Sequence, residues 1–207
     1  MLVFFIIEVL FNVYNIGVKL KNEKNEQKTV NKCRNNNVTL ASIKKYIFPE
    51  MGSEKLPDRP VIIGMGPAGL FCGYMLAKFG YKPLIIERGE KVEDRIKTVD
   101  KFFEEGTLNK NSNIQFGEGG AGTFSDGKLV TRIGDANCNY VLRTLHRFGA
   151  PDDVLTKAKP HIGTDRLRLV VKSIREEILR LGGKVCFEST FLYPLTEKGR
   201  LRGARIR

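Results

Sequence analysis

The sequence predicts an α/β fold built around a parallel sheet, and two observations carry this prediction. Short runs of β-branched residues alternate along the chain with segments whose apolar residues recur at helical spacing, which is typical of wound α/β folds. The chain has 207 residues, of which 42% are hydrophobic and 28% are charged, so it can bury a sizeable core. This composition disfavours collagen, low-complexity disorder and membrane bundles, and the length suits one domain with a remnant of another.

The chain is strongly basic, with 35 Lys and Arg residues against 23 Asp and Glu residues and a formal net charge of +12. Such a balance favours anionic partners such as nucleotides, nucleic acid or lipid headgroups, without choosing among them. The four cysteines are widely separated along the chain, so no short metal-binding or redox pair exists. We therefore predict no metal site, and reduced thiols in a cytoplasmic protein.

Residues 1–55 are predicted to be a remnant of a small N-terminal α/β domain followed by a polar linker. Apolar residues alternate with other residues over positions 2–14, which favours a half-buried strand over a membrane anchor because the run is short and interrupted by polar residues. Segment 19–37 is rich in Lys and Asn and has little to bury, so we predict a loop or linker there. The predicted boundary lies between residues 51 and 60, and residues 56–207 form the second domain.

The elements of the second domain follow from its apolar patterns. Strands are predicted where short β-branched or apolar runs adjoin turn residues, at 61–63, 84–86, 184–187 and 201–206, the last as one arm of a hairpin. Helices are predicted where apolar residues recur at helical spacing and glycine ends the pattern, at 67–79, 92–105, around 141–148 and at 164–181. Thr164 is a fitting N-cap for the last of these helices.

A glycine pattern follows the first of these strands and opens the first helix. Gly64 permits the tight turn, Gly66 lets the backbone approach a pyrophosphate, and Gly69 lets the helix pack closely on the strand. Pro67 suits the first helical turn, where its missing N–H costs no hydrogen bond, and Ala68 follows it. This strand, turn and helix form the Rossmann fingerprint for a dinucleotide, with the helix amides and dipole facing the phosphates.

An acidic residue ends the second strand at the distance this fingerprint requires. Glu87 is placed to accept hydrogen bonds from both ribose hydroxyls, and its charge would repel a 2′-phosphate. The residue therefore points to FAD or NAD rather than NADP, although the neighbouring Arg88 could accommodate a phosphate.

A second glycine cluster spans residues 116–128 and reads FGEGGAGTFSDGK. Successive backbone amides in such a loop can form a nest for an anion or for the polar edge of a flavin, with Thr123 and Ser125 as hydroxyl donors. Glycine density shows backbone freedom and not a ligand, so a flexible linker explains the cluster equally well.

Together with the fingerprint, the blocks SNIQFGEGGAGTFSDGKL and KPHIGTDRLRLVVKSIREEILRLGGKV resemble a family of mostly uncharacterised FAD-dependent dehydrogenases. This family belongs to the flavoprotein oxidoreductases with a glutathione-reductase-like FAD domain, and the resemblance covers roughly residues 44–207. It implies FAD as the cofactor, an unidentified small-molecule substrate and NAD(P)H as a candidate reductant, without a nucleic-acid or membrane partner.

The resemblance also implies the residues of the site. The pyrophosphate should be lined by Gly64, Gly66, Pro67, Ala68 and Gly69, the ribose by Glu87 beside Arg88, and the flavin or its phosphates by Gly119, Gly120, Ala121, Gly122 and Thr123. Related flavoproteins place a phosphate-pairing arginine near the position of Arg95, which could equally lie on a solvated helix face. Phe191 resembles the segment whose backbone touches adenine.

The catalytic residues are not predicted, because hydride chemistry belongs to the flavin and the protein supplies position and electrostatics. His161 could donate a proton near the cofactor, but we expect it to be a structural hydrogen-bonding group, and we expect His146 to lie on the surface. Family members continue through a return strand and a substrate domain, so we expect this chain to be an incomplete Rossmann-like FAD domain. An NAD-binding reductase or dehydrogenase domain and a basic nucleic-acid-binding module are the alternative functions.

Overall fold

The computed structural model describes residues 16–21, 25–40, 46–50, 52–129, 131, 133, 135–157 and 160–207. The chain divides into two compact units, residues 1–44 and 45–207. The predicted domain boundary, between residues 51 and 60, lies on the C-terminal side of the division between residues 44 and 45. The strand predicted over residues 2–14 falls outside the described residues.

In the first unit, helix α1 (Glu26–Cys33) lies within the segment predicted to be a loop. That prediction was wrong for these residues because it relied on burial, and none of the residues of α1 is buried. The helix has an acidic residue in its first turn, and the side-chain amide of Gln27 donates to Asn31 one turn later at 3.0 Å. Such local contacts stabilise a polar helix without a core.

The second unit contains a parallel sheet of three strands, β1 (Val61–Ile63), β2 (Leu84–Ile86) and β3 (Lys184–Cys186), in that order. β2 pairs with β1 on one side and with β3 on the other. The central strand is the most buried, with Ile85 and Ile86 at 0% and 2% exposure. The predicted α/β fold with a parallel sheet is therefore confirmed, as are the positions of these strands.

Helices accompany this sheet in the unit, and the first and last of them pack on its strands. They are α2 (Pro67–Lys78), α3 (Val92–Glu105), a short 3-10 helix (Ala121–Thr123), α4 (Ala136–Arg147), α5 (Asp153–Thr156) and α6 (Thr164–Arg180). Within the described ranges, no helix combines the length and the apolar composition that a bilayer crossing requires.

The core lies between α2, α6 and β2. Leu70 and Tyr74 of α2 are buried in one cluster with Ile174 and Ile178 of α6. Gly73 lets α2 approach the sheet, because a Cβ at this position would overlap the Cδ1 atom of Ile85. The apolar residues that recur at helical spacing in α6 are thus the face of the helix that packs in the core.

The predicted first residue of α6, Thr164, is confirmed, but the predicted N-cap is wrong. Thr164 is the first helical residue, and Gly163 is the N-cap, because its carbonyl oxygen accepts the first helical hydrogen bond from the N–H of Leu167 at 3.0 Å. Gly163 has φ 81° and ψ 147°, a conformation that favours glycine. The side chain of Thr164 therefore does not cap the helix.

The unit ends in an antiparallel ribbon of β4 (Phe191–Glu197) and β5 (Arg200–Ile206), which forms its own two-stranded sheet. The predicted hairpin arm at 201–206 is therefore confirmed. The ribbon begins close to the end of β3, and the N–H of Thr190 donates to the carbonyl oxygen of Arg207 at 2.7 Å. The N–H of Ser189 donates to the carbonyl oxygen of Glu87 at 2.9 Å, and this hydrogen bond places the start of β4 beside the carboxyl end of β2.

Candidate functional site

A cleft of about 380 Å³ lies at the carboxyl ends of the parallel strands. Its walls come from four segments: the end of β1 and the following turn, the end of β2, the second glycine cluster and residues 189–191. In open α/β sheets, ligands bind in the crevice outside the carboxyl ends of the strands, and this volume lies within the range of small-molecule sites. The cleft is therefore the candidate functional site.

The turn from β1 to α2 has the geometry expected of the fingerprint. Gly64 has φ 90°, and the Cβ of a residue at position 69 would overlap the carbonyl oxygen of Gly64, so only glycine fits at both places. Gly66 is the N-cap of α2, lines the cleft and has no atom within 4 Å of where its Cβ would lie. Pro67 begins the helix, so the amides of Ala68 and Gly69 have no partner within it.

Glu87 lines the cleft and at the same time supports its wall. Its side chain is almost fully buried, at 6% exposure for the residue. One carboxylate oxygen accepts from the N–H of Met65 at 2.5 Å and the other from the N–H of Gly89 at 2.7 Å. A carboxylate oxygen can accept more than one hydrogen bond, so both keep capacity for a ligand.

Two aromatic side chains and an arginine complete the cleft. Arg88 is exposed, and its guanidinium carbon lies 5.0 Å from the centre of the Phe116 ring. Phe116 is 47% exposed and lines the cleft, although the sequence pattern does not predict it as a site residue. Phe191, at the start of β4, lines the same cleft.

The second glycine cluster packs directly on the first. The N–H of Gly119 donates to the carbonyl oxygen of Met65 at 2.9 Å. Gly120 lines the cleft, and a Cβ on it would lie 2.8 Å from the Cδ of Pro67. The cluster is a packed loop on the cleft wall, and the structure thus brings together two motifs that lie some fifty residues apart in the sequence.

Arg95 lies under this loop and is fully buried, at 0% exposure. Its guanidinium donates to the carbonyl oxygens of Asn113, Ile114, Glu118 and Gly120 and to the hydroxyl of Thr123, over 2.8 to 3.0 Å. The solvated helix face considered for this residue was therefore wrong. Burial lowers the pKa of Arg95 to about 10, so the group stays charged at neutral pH.

The remaining predicted loop residues differ in exposure. Ala121 is exposed, whereas Gly122 lies against Leu167, where its Cβ would come within 3.5 Å of Cδ2. Thr123 is fully buried and its hydroxyl donates to the carbonyl oxygen of Gly120 at 2.7 Å. The hydroxyl hydrogen that was predicted to serve a ligand is therefore used within the loop. The hydroxyl oxygen of Thr123 also accepts a hydrogen bond from Arg95.

Glu118, between two of the loop glycines, is buried at 0% exposure and is not predicted from the sequence. Its Oε2 accepts from the N–H of Val92 at 2.7 Å and from Arg175 at 2.6 Å, while its Oε1 has no hydrogen-bond partner. Burial raises the pKa of Glu118 to about 7, against the opposing charge of Arg175. The second guanidinium nitrogen of Arg175 donates to Glu93 at 2.6 Å, and this bond lowers the pKa of Glu93 to about 2.

The two histidines lie outside the cleft. His146 is paired through Nε2 with Asp152 at 2.7 Å on the surface of α4. His161 is exposed and lines a second cleft at the start of α6, with Ser125 and Asp126. Its backbone forms an isolated bridge with Lys128, and the hydrogen-bonding role expected of its side chain stays a prediction.

Comparisons with known proteins add one sequence relative. No family model matches the chain. An uncharacterised protein of Clostridium beijerinckii is 49% identical over 166 residues, which cover 80% of this chain and 31% of that protein. The chain therefore spans about a third of the length of the relative it matches.

A solved structure is also similar to part of the chain. The crystal structure of THI4 from Thermovibrio ammonificans covers 72% of this chain and 47% of that chain, with 21% sequence identity and a TM-score of 0.42. A TM-score of this size assigns no fold, so the α/β fold rests on the observed strands and helices alone.

Proposed function

We propose that the cleft binds FAD and that the chain is the cofactor-binding part of an FAD-dependent oxidoreductase of the dehydrogenase family it resembles. One observation carries the proposal: the open N-cap of α2 at Gly66, the loop glycine Gly120 and the carboxylate of Glu87 line one cleft. A diphosphate needs the first two features, and the ribose attached to it needs the third.

The diphosphate would lie at the turn between β1 and α2. The free amides of Ala68 and Gly69 and the positive end of the dipole of α2 all favour negative charge there. Gly66 leaves open space where any other residue would place a side chain. The residues present therefore fit the group, and the net charge of +12 favours an anionic ligand as well.

The adenosine half would extend from this turn along the cleft. Glu87 would accept hydrogen bonds from the ribose hydroxyls in addition to those from Met65 and Gly89. The adenine would lie between the Arg88 and Phe116 pair and the backbone at Phe191, since these residues line the same cleft. FAD bound in this way would supply hydride or electron transfer through its isoalloxazine ring.

The cysteines favour a reducing compartment. The four cysteines, Cys33, Cys72, Cys138 and Cys186, are all free thiols. Free thiols are typical of cytoplasmic proteins, so we propose a cytoplasmic location.

The test compares FAD binding by the wild-type chain and by Gly66→Ala. A Cβ at residue 66 meets no protein atom within 4 Å, so the variant should fold, but the methyl group enters the space proposed for the diphosphate. We expect FAD affinity to fall about tenfold, which corresponds to about 1.4 kcal/mol of steric cost. Gly52→Ala is the matched control, since Gly52 also has no atom within 4 Å and does not line the cleft.

The measurement is a fluorescence titration with FAD, with NAD and a labelled oligonucleotide as competing ligands. Binding of FAD that Gly66→Ala weakens and Gly52→Ala leaves unchanged would support the proposal. Binding of NAD without binding of FAD would overturn the proposal and favour the NAD-binding alternative. Salt-dependent binding of the oligonucleotide with no nucleotide binding would favour the nucleic-acid module instead.

A further inference from the structure

We infer that Arg95 is a positioning residue for the diphosphate: its buried guanidinium holds the carbonyl oxygens of the second glycine cluster and thereby turns the loop amides away from itself. The inference rests on the proposed FAD site. It gives this arginine a role different from that of a phosphate ligand, because the guanidinium is fully buried and does not line the cleft.

All five acceptors of the Arg95 guanidinium belong to a single stretch of chain, residues 113–123. Arginine suits this task because its planar group presents five donors in a fixed arrangement. Gly117 provides the passage for the side chain, since a Cβ there would lie 2.7 Å from the Cδ of Arg95. The hydrogen bonds of the guanidinium therefore fix the conformation of the loop, and none of them goes to a strand of the sheet.

The direction of the loop amides follows from the planarity of the peptide group. In a trans peptide the carbonyl oxygen and the N–H of the next residue point in opposite directions. The carbonyl of Glu118 points to Arg95, and the N–H of Gly119 accordingly reaches the carbonyl oxygen of Met65, on the side of the turn before α2.

The next peptide held by Arg95 is the one between Gly120 and Ala121. The carbonyl oxygen of Gly120 accepts from Arg95 at 3.0 Å, so the N–H of Ala121 points away from the guanidinium. Ala121 and Gly122 are the first residues of the 3-10 helix, and their amides have no partner within it. The N–H of Ala121 is therefore the donor that Arg95 orients for an anion, while the carbonyl oxygen of Ala121 accepts from the N–H of Phe124 at 3.0 Å, which fixes the peptide that carries the N–H of Gly122.

A second arginine strengthens the arrangement. The guanidinium carbons of Arg95 and Arg168 each lie 4.4 Å from the centre of the Phe124 ring. Arg168 also donates to the carbonyl oxygen of Thr123 at 2.9 Å. Phe124 directly follows the 3-10 helix, so the end of the loop is held from two positions.

The test uses Arg95→Lys, which keeps the positive charge and loses the planar fork. Binding of FAD, ADP and adenosine is measured by titration, with thermal unfolding recorded for each variant. Because only FAD and ADP carry the diphosphate, we expect both affinities to fall about tenfold, the change expected for losing one well-placed charge-assisted contact, while that of adenosine stays within about twofold. Arg147→Lys is the control, because Arg147 donates to Tyr74 at 3.3 Å and does not touch the loop.

The ligand series separates this inference from the proposed function. If the wild-type chain binds neither FAD nor ADP, the proposed site is wrong and the inference is overturned with it. If the wild type binds FAD, but Arg95→Lys weakens adenosine as much as ADP or weakens neither, the proposed site stands and the positioning role is wrong.

A second variant covers the case in which Arg95→Lys does not fold. Thr123→Val keeps the shape of the side chain and removes the hydroxyl that accepts from Arg95 and donates to Gly120. We expect the affinity for ADP to fall about threefold, as for the loss of one neutral hydrogen bond, with that for adenosine unchanged. Equal affinities of this variant and the wild type for ADP would overturn the inference.

Discussion

Replacing Glu118 by Gln should make the stability of the protein less sensitive to pH. The carboxyl group is fully buried in the loop, its Oε1 lacks a hydrogen-bond partner, and burial raises its pKa to about 7. Its charged neighbours are Arg175, which donates to Oε2, and Glu93, which pairs with the same arginine. The pKa of Glu93 is lowered to about 2, so Arg175 keeps an ionised partner throughout the neutral range.

The sign follows from proton linkage. The folded protein holds the Glu118 proton more tightly than the unfolded chain does, so this proton stabilises the fold at low pH and its contribution is lost as pH rises through about 7. A rise in pKa from the ordinary 4.5 to about 7 corresponds to about 3 kcal/mol in all. Between pH 5 and pH 8 the wild type should therefore lose about 2 to 3 kcal/mol that Glu118→Gln, which cannot ionise, does not lose.

The assay is urea unfolding of both proteins at pH 5 and pH 8. The stability of the variant minus that of the wild type should increase by about 2 to 3 kcal/mol from the lower to the higher pH. Other titrating groups are common to both proteins and cancel in this difference. Glu105→Gln is the control, since its carboxylate is 56% exposed and its replacement should change stability by less than about 0.5 kcal/mol at either pH. A difference that is the same at both pH values, or that decreases toward pH 8, would refute the reasoning.

Two further predictions concern packing. Gly69→Ala should destabilise the protein by at least about 2 kcal/mol in urea unfolding, because its Cβ would overlap the carbonyl oxygen of Gly64; a loss no larger than that of Gly66→Ala would contradict this contact. Ile174→Ala should lower the free energy of unfolding by about 2 to 5 kcal/mol in the same assay, since Ile174 of α6 lies in the core at 0% exposure. Leu169→Ala, on the exposed side of the same helix at 62% exposure, should cost less than about 1 kcal/mol, and equal losses from both would show that the assigned face is wrong.

The order of strands and helices in the second unit could be predicted because each depends on residues close together in the chain. Apolar runs gave β1 and β2 within the bounds observed, and helical spacing gave α2 and α6. α1 was missed because the same reasoning equates a helix with a buried stripe, whereas this helix has none. The N-cap of α6 was missed because it depends on the backbone angles at Gly163, whereas the first helical residue, Thr164, was predicted.

The candidate site, too, could be predicted from the sequence only in part. The turn at Gly64, Gly66 and Gly69 lies within one strand, turn and helix, so its shape follows from local chain geometry. The role of Arg95 could not be predicted, because its hydrogen-bond partners lie 18 to 28 residues further along the chain. Glu118 and its partner Arg175 are 57 residues apart, and nothing near either residue in sequence indicates that they pair.

The chain's own residue pattern was therefore enough to establish the parallel α/β fold, the first glycine turn and the acidic residue after β2. Folding in three dimensions was needed to join the second glycine cluster to that turn, to bury Arg95 beneath it and to leave one oxygen of Glu118 unpartnered. The physical reason is range: backbone conformation and hydrophobic periodicity act over a few residues, whereas burial and hydrogen bonding of charged groups depend on which distant segments the packed core brings together.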